Sequence, residues 1–228
     1  MKVIPLYGVI IMELKNKKIN FLGDSITEGV GSSDPSKCYV SLIAEKTGAV
    51  CRNYGIGGTR IARQATPTDP RWDMDFCSRV EGMDIDADIV CVFGGTNDFG
   101  HGDAPIGDFS DRTTDTFYGA LHTLFESLIT KYPNAAIVVF TPMHRCNEDD
   151  PKGDGIKVVP TLPLKGYVDI IRRVSEYYSL PVLDLYANSG LQPKVPVIKE
   201  KFMPDGLHPN DAGYEILANK IISFLKTL

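Results

Sequence analysis

At 228 residues, with 43% hydrophobic and 23% charged residues, the chain has an ordinary globular composition and the length of one α/β domain with a sizeable core. A formal net charge of −5 without a Lys/Arg cluster removes the usual electrostatic basis for binding nucleic acid or an anionic membrane surface. Five cysteines (Cys38, Cys51, Cys77, Cys91 and Cys146), odd in number and without C-x-x-C spacing, argue against a disulfide framework and for a reducing compartment.

Residues 3–12 are apolar, yet only Lys2 precedes them, no A-x-A cleavage site follows, and charge returns at 13–18. They read as a short N-terminal extension (1–17) or an early strand, too short to span a bilayer. No stable membrane insertion and a cytoplasmic location are expected. Apolar runs at 19–22, 50–54, 89–93, 137–140 and 181–185 predict five strands, several covered on both faces. Cys51 and Cys91 fall in two of these runs and read as buried thiols.

Helical spacing predicts a short helix over 39–46 and longer ones between the later strands. The segment 113–131 carries Phe117, Leu121, Leu124, Phe125, Leu128 and Ile129 on one face. The segments 164–178 and 211–225 do the same, with Tyr167, Ile170, Ile171, Val174 and Tyr178, and with Tyr214, Leu217, Ala218, Ile221, Ile222 and Leu225. Strand–helix alternation predicts a three-layer α/β/α sandwich around a five-stranded parallel sheet, in one domain over 1–228. Ligands of such sheets bind at the carboxyl ends of the strands. Two long loops, 59–83 and 141–163, lie there and are expected either to shape substrate access or to be solvated connections. The oligomeric state is not legible.

Four short blocks carry the chemistry. Gly23-Asp24-Ser25 follows the first strand; alone, Ser25 is as well a helix cap as a nucleophile, and no phosphate-binding glycine motif surrounds it. Asn53 to Gly58 follows the second strand, and its glycines can expose backbone N–H groups. Gly94-Gly95-Thr96-Asn97-Asp98 follows the third, where Asn97 offers a neutral side-chain donor or is plain turn chemistry. Asp205-Gly206-Leu207-His208 precedes the last helix, with a carboxylate placed to orient an imidazole and with Asn210 as a helix cap. Nucleophile, donors, base and orienting acid form a complementary set.

On these four ordered blocks the chain resembles the SGNH hydrolases, the GDSL esterases and lipases. The resemblance runs from Ile19 to the C-terminal helix and implies a flavodoxin-like fold. It also implies a catalytic triad of Ser25, Asp205 and His208 and an oxyanion hole made by the N–H groups of Ser25 and Gly58 and the amide of Asn97. Gly57 is a neighbouring ambiguity. The implied reaction is ester hydrolysis through an acyl-enzyme, with no cofactor and no metal. His144, Cys146 and Glu148, and likewise His101 and Asp103, lack a recognised metal-ligand spacing. Asp24 and Asp98 are expected to brace loops. Arg60, Arg63, Arg71 and Trp72 suit a polar or sugar-bearing substrate, so the expected partner is a small ester with a short acyl group, such as an acetylated carbohydrate. Lysophospholipid or thioester cleavage, acyl transfer to a sugar hydroxyl, and a non-catalytic carbohydrate-binding module are the alternatives.

Overall fold

The computed structural model describes residues 11–228. Its centre is a five-stranded, all-parallel sheet of β1 (Lys18–Gly23), β2 (Val50–Gly55), β3 (Ile89–Phe93), β4 (Ala136–Phe140) and β5 (Val182–Leu183), in the order β2-β1-β3-β4-β5. The helices are α1 (Ser25–Glu28), α2 (Tyr39–Thr47), α3 (Phe76–Arg79), α4 (Thr96–Gly100), α5 (Phe117–Lys131), α6 (Leu164–Tyr177), α7 (Leu185–Asn188), α8 (Pro196–Phe202) and α9 (Asp211–Leu225).

Side chains alternate across the strands, so each face of the sheet has its own core. Ile19, Phe21, Cys91, Phe93, Val138 and Phe140 pack with Tyr39, Ile43, Tyr214, Leu217 and Ile221 of α2 and α9. Leu22, Val90, Val92, Ile137 and Val139 pack with Phe117, Leu121, Phe125, Tyr167 and Val174 of α5 and α6. The result is the expected three-layer sandwich.

Register positions the site. Gly23 lies opposite both Gly55 and Phe93, so β1, β2 and β3 end at one level and release their loops side by side. The chain passes from β1 to β2 on one side and then to β3 on the other. The gap after β1 is therefore the switch point, where crossover loops diverge and leave a crevice.

Several sequence expectations shift. The fifth strand is two residues long: Pro181 brings no N–H to the ladder, and the Asp184 side chain accepts the N–H of Ala187, which starts α7 at Leu185. The long helix begins at Phe117 instead of 113 because Thr116 caps it, accepting the N–H of Gly119. Ile129 lies toward solvent, 37% exposed, outside the buried face. β2 is an edge strand with Val50 exposed, so it is not covered on both faces, and Cys51 is only partly buried, whereas Cys91 is buried. The N-terminal extension expected over 1–17 lies outside the described residues up to residue 10. Beyond that no strand forms, but Met12 donates its N–H to the Lys226 carbonyl at 2.9 Å and Leu14 is buried in the α2–α9 layer. Among the described residues no helix is long and apolar enough to cross a membrane.

Candidate active site

Ser25 is the first residue of α1. The cap is Asp24, whose Oδ1 accepts the N–H of Ile26 at 3.1 Å, so the capping alternative for Ser25 does not hold and its hydroxyl is free for another partner. That partner is His208: Ser25 Oγ and His208 Nε2 are 2.9 Å apart. The other ring nitrogen, Nδ1, is 2.6 Å from Asp205 Oδ2. Asp205 Oδ1 in turn accepts the N–H groups of Leu207 at 2.8 Å and His208 at 2.7 Å. Burial alone would raise the Asp205 carboxyl, but these hydrogen bonds from the His208 ring and the two backbone N–H groups outweigh it and hold the group below the usual carboxylate range. Gly206, at φ +81°, makes the turn that folds His208 back over Asp205.

Three candidate donors lie in the loops that leave β1, β2 and β3 side by side. At the start of α1 the N–H of Ser25 has no intrahelical acceptor. Gly58 has φ +79°, and a Cβ there would stand 2.5 Å from the Trp72 indole, so only glycine fits. Asn97 is buried on α4; one hydrogen of its Nδ2 goes to the Thr59 carbonyl at 3.0 Å, leaving the second for another acceptor. The N–H of Gly57, by contrast, is taken by Glu28 Oε2 at 2.7 Å.

Around this centre the loops are braced by buried charge. Asp98 accepts the N–H groups of Ile61 and Ala62, each at 2.9 Å. Burial raises both Asp24 and Asp98, Asp24 to about 7, against the pull of those backbone N–H groups and nearby cations. Two residues absent from the sequence-level site also contribute. Arg79 donates to the carbonyls of Tyr54 at 2.8 Å and Gly23 at 3.1 Å and to Thr59 Oγ1 at 3.1 Å, tying together the ends of β1 and β2 and the glycine loop. Glu28 bridges Gly57 and the guanidinium of Arg71. Neither has a local sequence signal, because each of these partners lies at least 20 residues away in the chain.

The arginines expected to meet a polar substrate are engaged elsewhere. Arg60 is 2% exposed and donates to the Trp72 carbonyl; Arg63 pairs with Asp115; Arg71 pairs with Glu28. Their charges close the 59–83 loop, which also buries Ile61, Phe76, Val80 and Met83 and is no mere solvated connection. Trp72 remains 46% exposed beside Gly58. His144 bonds Glu148 at 2.7 Å, and Glu148 also pairs with Lys194. Asp103 accepts the N–H groups of Ala65 and Thr66. A cavity of about 880 Å³ beside α3 and α5 holds none of the Ser25 constellation. Its size therefore gives it no claim on the chemistry.

The GDSL-like Lipase/Acylhydrolase family model matches residues 21–216, which takes in all four blocks. The chain belongs to this family. One solved structure is 35% identical, with a TM-score of 0.83 over 95% of this chain and 99% of its own. A protein from Lactobacillus plantarum is 29% identical, with a TM-score of 0.79 over 92% and 97%. The lipase/acylhydrolase of Enterococcus faecalis shares the fold at 22% identity, with a TM-score of 0.65 over 92% and 95%. No curated protein matches. Membership makes the chain an ester hydrolase of the GDSL type.

Proposed function

We propose that this GDSL-family hydrolase acts through a covalent acyl-enzyme, with Ser25 as nucleophile, His208 as general base and acid, and Asp205 as the group that orients His208. The observation that carries this reading is the unbroken hydrogen-bond chain from Ser25 Oγ through His208 to Asp205, at 2.9 and 2.6 Å. As Oγ attacks the ester carbonyl, its proton passes to Nε2. Asp205, still ionised, stabilises the imidazolium. The carbonyl oxygen gains charge and is met by the N–H groups of Ser25 and Gly58 and the free amide hydrogen of Asn97, donors that need no reorganisation. The carbon–oxygen bond to the alcohol then breaks, and Nε2 returns the proton to the departing alkoxide. Water, deprotonated by the same nitrogen, attacks the acyl-enzyme and releases the acid and free Ser25.

For substrate we propose small esters of short acyl groups. The exposed Trp72 face beside Gly58 supports a flat or sugar-bearing alcohol, while the paired arginines no longer do. Five free thiols fit action in a reducing compartment such as the cytoplasm.

A fluorophosphonate probe should label the wild type at Ser25 and fail on Ser25→Ala. The folded variant should lose about a thousandfold or more in turnover of p-nitrophenyl butyrate. Full activity in folded Ser25→Ala would reject the nucleophile.

A further inference from the structure

Asn97 sits on a helix that cannot hold itself. α4 is five residues long, and its N-cap, Gly95, brings no side chain to its N–H groups. One turn does not offset the cost of nucleating a helix, and the last four carbonyls of any helix lack partners within it. A hydrogen-bond donor in a reaction centre acts only where it is held: a displacement of about 1 Å can cost about 100-fold in rate.

The 141–163 loop grips α4 at its first, third and fifth residues. Arg145 Nη1 donates to the Thr96 carbonyl at 3.3 Å and lies 3.4 Å from the Thr96 hydroxyl. Lys157 Nζ donates to the Asp98 carbonyl at 2.7 Å. The N–H of Asp154 donates to the Gly100 carbonyl at 2.7 Å. The approach is close enough to need glycine: a Cβ at Gly153, with φ +62°, would stand 2.2 Å from the Gly100 oxygen. The 59–83 loop holds α4 as well, through the Asp98 carboxylate and the Asn97 amide itself.

Both cations are themselves anchored. Arg145 is buried; its Nε donates to Asn147 Oδ1 at 2.8 Å, its Nη2 donates to Asp154 Oδ1, and its guanidinium lies 5.4 Å from the centroid of the Phe99 ring. Lys157 is buried too and also donates to the Tyr167 hydroxyl at 2.9 Å and to Thr161 Oγ1 at 3.3 Å. Burial pushes the Lys157 ammonium down to about 8, against the pull of Asp98, Asp154 and Asp103, and lowers Arg145 as well. Desolvating two cations is costly, and apolar side chains would join loop to helix without that penalty. What the cations add is direction. Each donates to a particular oxygen of α4, and those points fix how the helix is oriented.

We propose that Arg145 and Lys157 are positioning residues, which clamp α4 from the 141–163 loop and so hold the Asn97 amide where the oxyanion develops. The assignment rests on the reading of Asn97 as an oxyanion donor and adds the residues that set its position. The amide acts chiefly in the transition state. Loosening the clamp therefore lowers kcat and leaves KM nearly unchanged.

The test is a double-mutant cycle on the full chain with p-nitrophenyl butyrate. Arg145→Met, Arg145→Lys and Lys157→Met are each measured alone and combined with Asn97→Ala, with circular dichroism to check folding. Arg145→Lys keeps the buried charge but cannot reach Thr96 and Asp154 together, so the cycle does not depend on the methionine variants folding. Each methionine variant should lower kcat about 10- to 30-fold and Arg145→Lys about fivefold, with KM changed less than about twofold. In the Asn97→Ala background the same substitutions should cost less than about twofold more, since the donor they position is gone. Losses that multiply undiminished in that background overturn the clamp alone. So do losses borne by KM, or wild-type kcat in the folded single variants. Wild-type kcat in Asn97→Ala defeats both this assignment and the reading beneath it.

Discussion

Glu28 Oε2 accepts the backbone N–H of Gly57 at 2.7 Å, which leaves Gly58 as the glycine we assign to the oxyanion. The resemblance read from the sequence points to Gly58 and leaves Gly57 as a neighbouring ambiguity. The choice is made by a carboxylate at the far end of α1, which also holds Arg71, next in the chain to Trp72. One side chain thereby links the helix of Ser25, the glycine loop and the indole that packs on it.

Removing that link should loosen the Gly58 peptide without deleting a donor. Glu28→Ala is expected to lower kcat about tenfold, a fraction of what losing an oxyanion donor costs. Glu28→Gln keeps an acceptor for Gly57 and should recover most of the loss while giving up the Arg71 pair. Steady-state kinetics alongside circular dichroism decides this; equal kcat in the alanine variant and wild type would refute the linkage.

Asn97 gives one amide hydrogen to Thr59 and keeps a second, which the proposed mechanism offers to the developing oxyanion. Asn97→Ala should cost about 100- to 1,000-fold in kcat with a much smaller change in KM. Were KM to absorb the effect, Asn97 would be a ground-state contact only.

Asp205→Asn keeps the shape of the turn but presents an amide to Nδ1 and destroys the charge that favours imidazolium. Turnover is expected to fall about 100- to 10,000-fold. Because the folded-state carboxyl is depressed, its contribution to stability is present above the unfolded pKa and lost as pH falls through the folded one. Melting temperatures of wild type and variant should therefore converge in acid. A gap that widens as pH drops would contradict the assigned hydrogen bonds.

Asp24 has the opposite sign. Burial raises its carboxyl from 3.8 to about 7, so its proton-bound folded form is favoured below that value. Its contribution is fully present below the unfolded pKa and is lost as pH rises through about 7. Asp24→Asn, which still caps α1, removes this dependence. Its melting temperature relative to wild type should climb between pH 4 and 7, by an amount on the order of a few kcal/mol in stability. A constant difference across that range would show that Asp24 titrates normally.

The parts of the fold legible in the sequence were those with a long or clean periodic signal. Strands such as Ile89–Phe93 are apolar throughout because both faces are covered, and Asp211–Leu225 shows its buried face at helical spacing with Asn210 at its cap. Helices of one turn, such as Phe76–Arg79, are too short to display a period. Ser25, Gly58, Asn97, Asp205 and His208 stood out because each sits in a local block with turn-forming neighbours. Glu28 and Arg79 did not, since their work is done on carbonyls and N–H groups brought close only by the folded chain. The arginines of the 59–83 loop misled for the same reason: a charged side chain looks available until its partner, such as Asp115 for Arg63, is known.

The chain has a single tryptophan, and it lies against Gly58 at the mouth of the candidate active site. Intrinsic emission from this protein is thus a local optical signal, not an average over the molecule. Filling or emptying the crevice alters the polarity around that indole, so rapid-mixing fluorescence gives a dye-free readout of the separate acylation and deacylation phases that the proposed mechanism predicts.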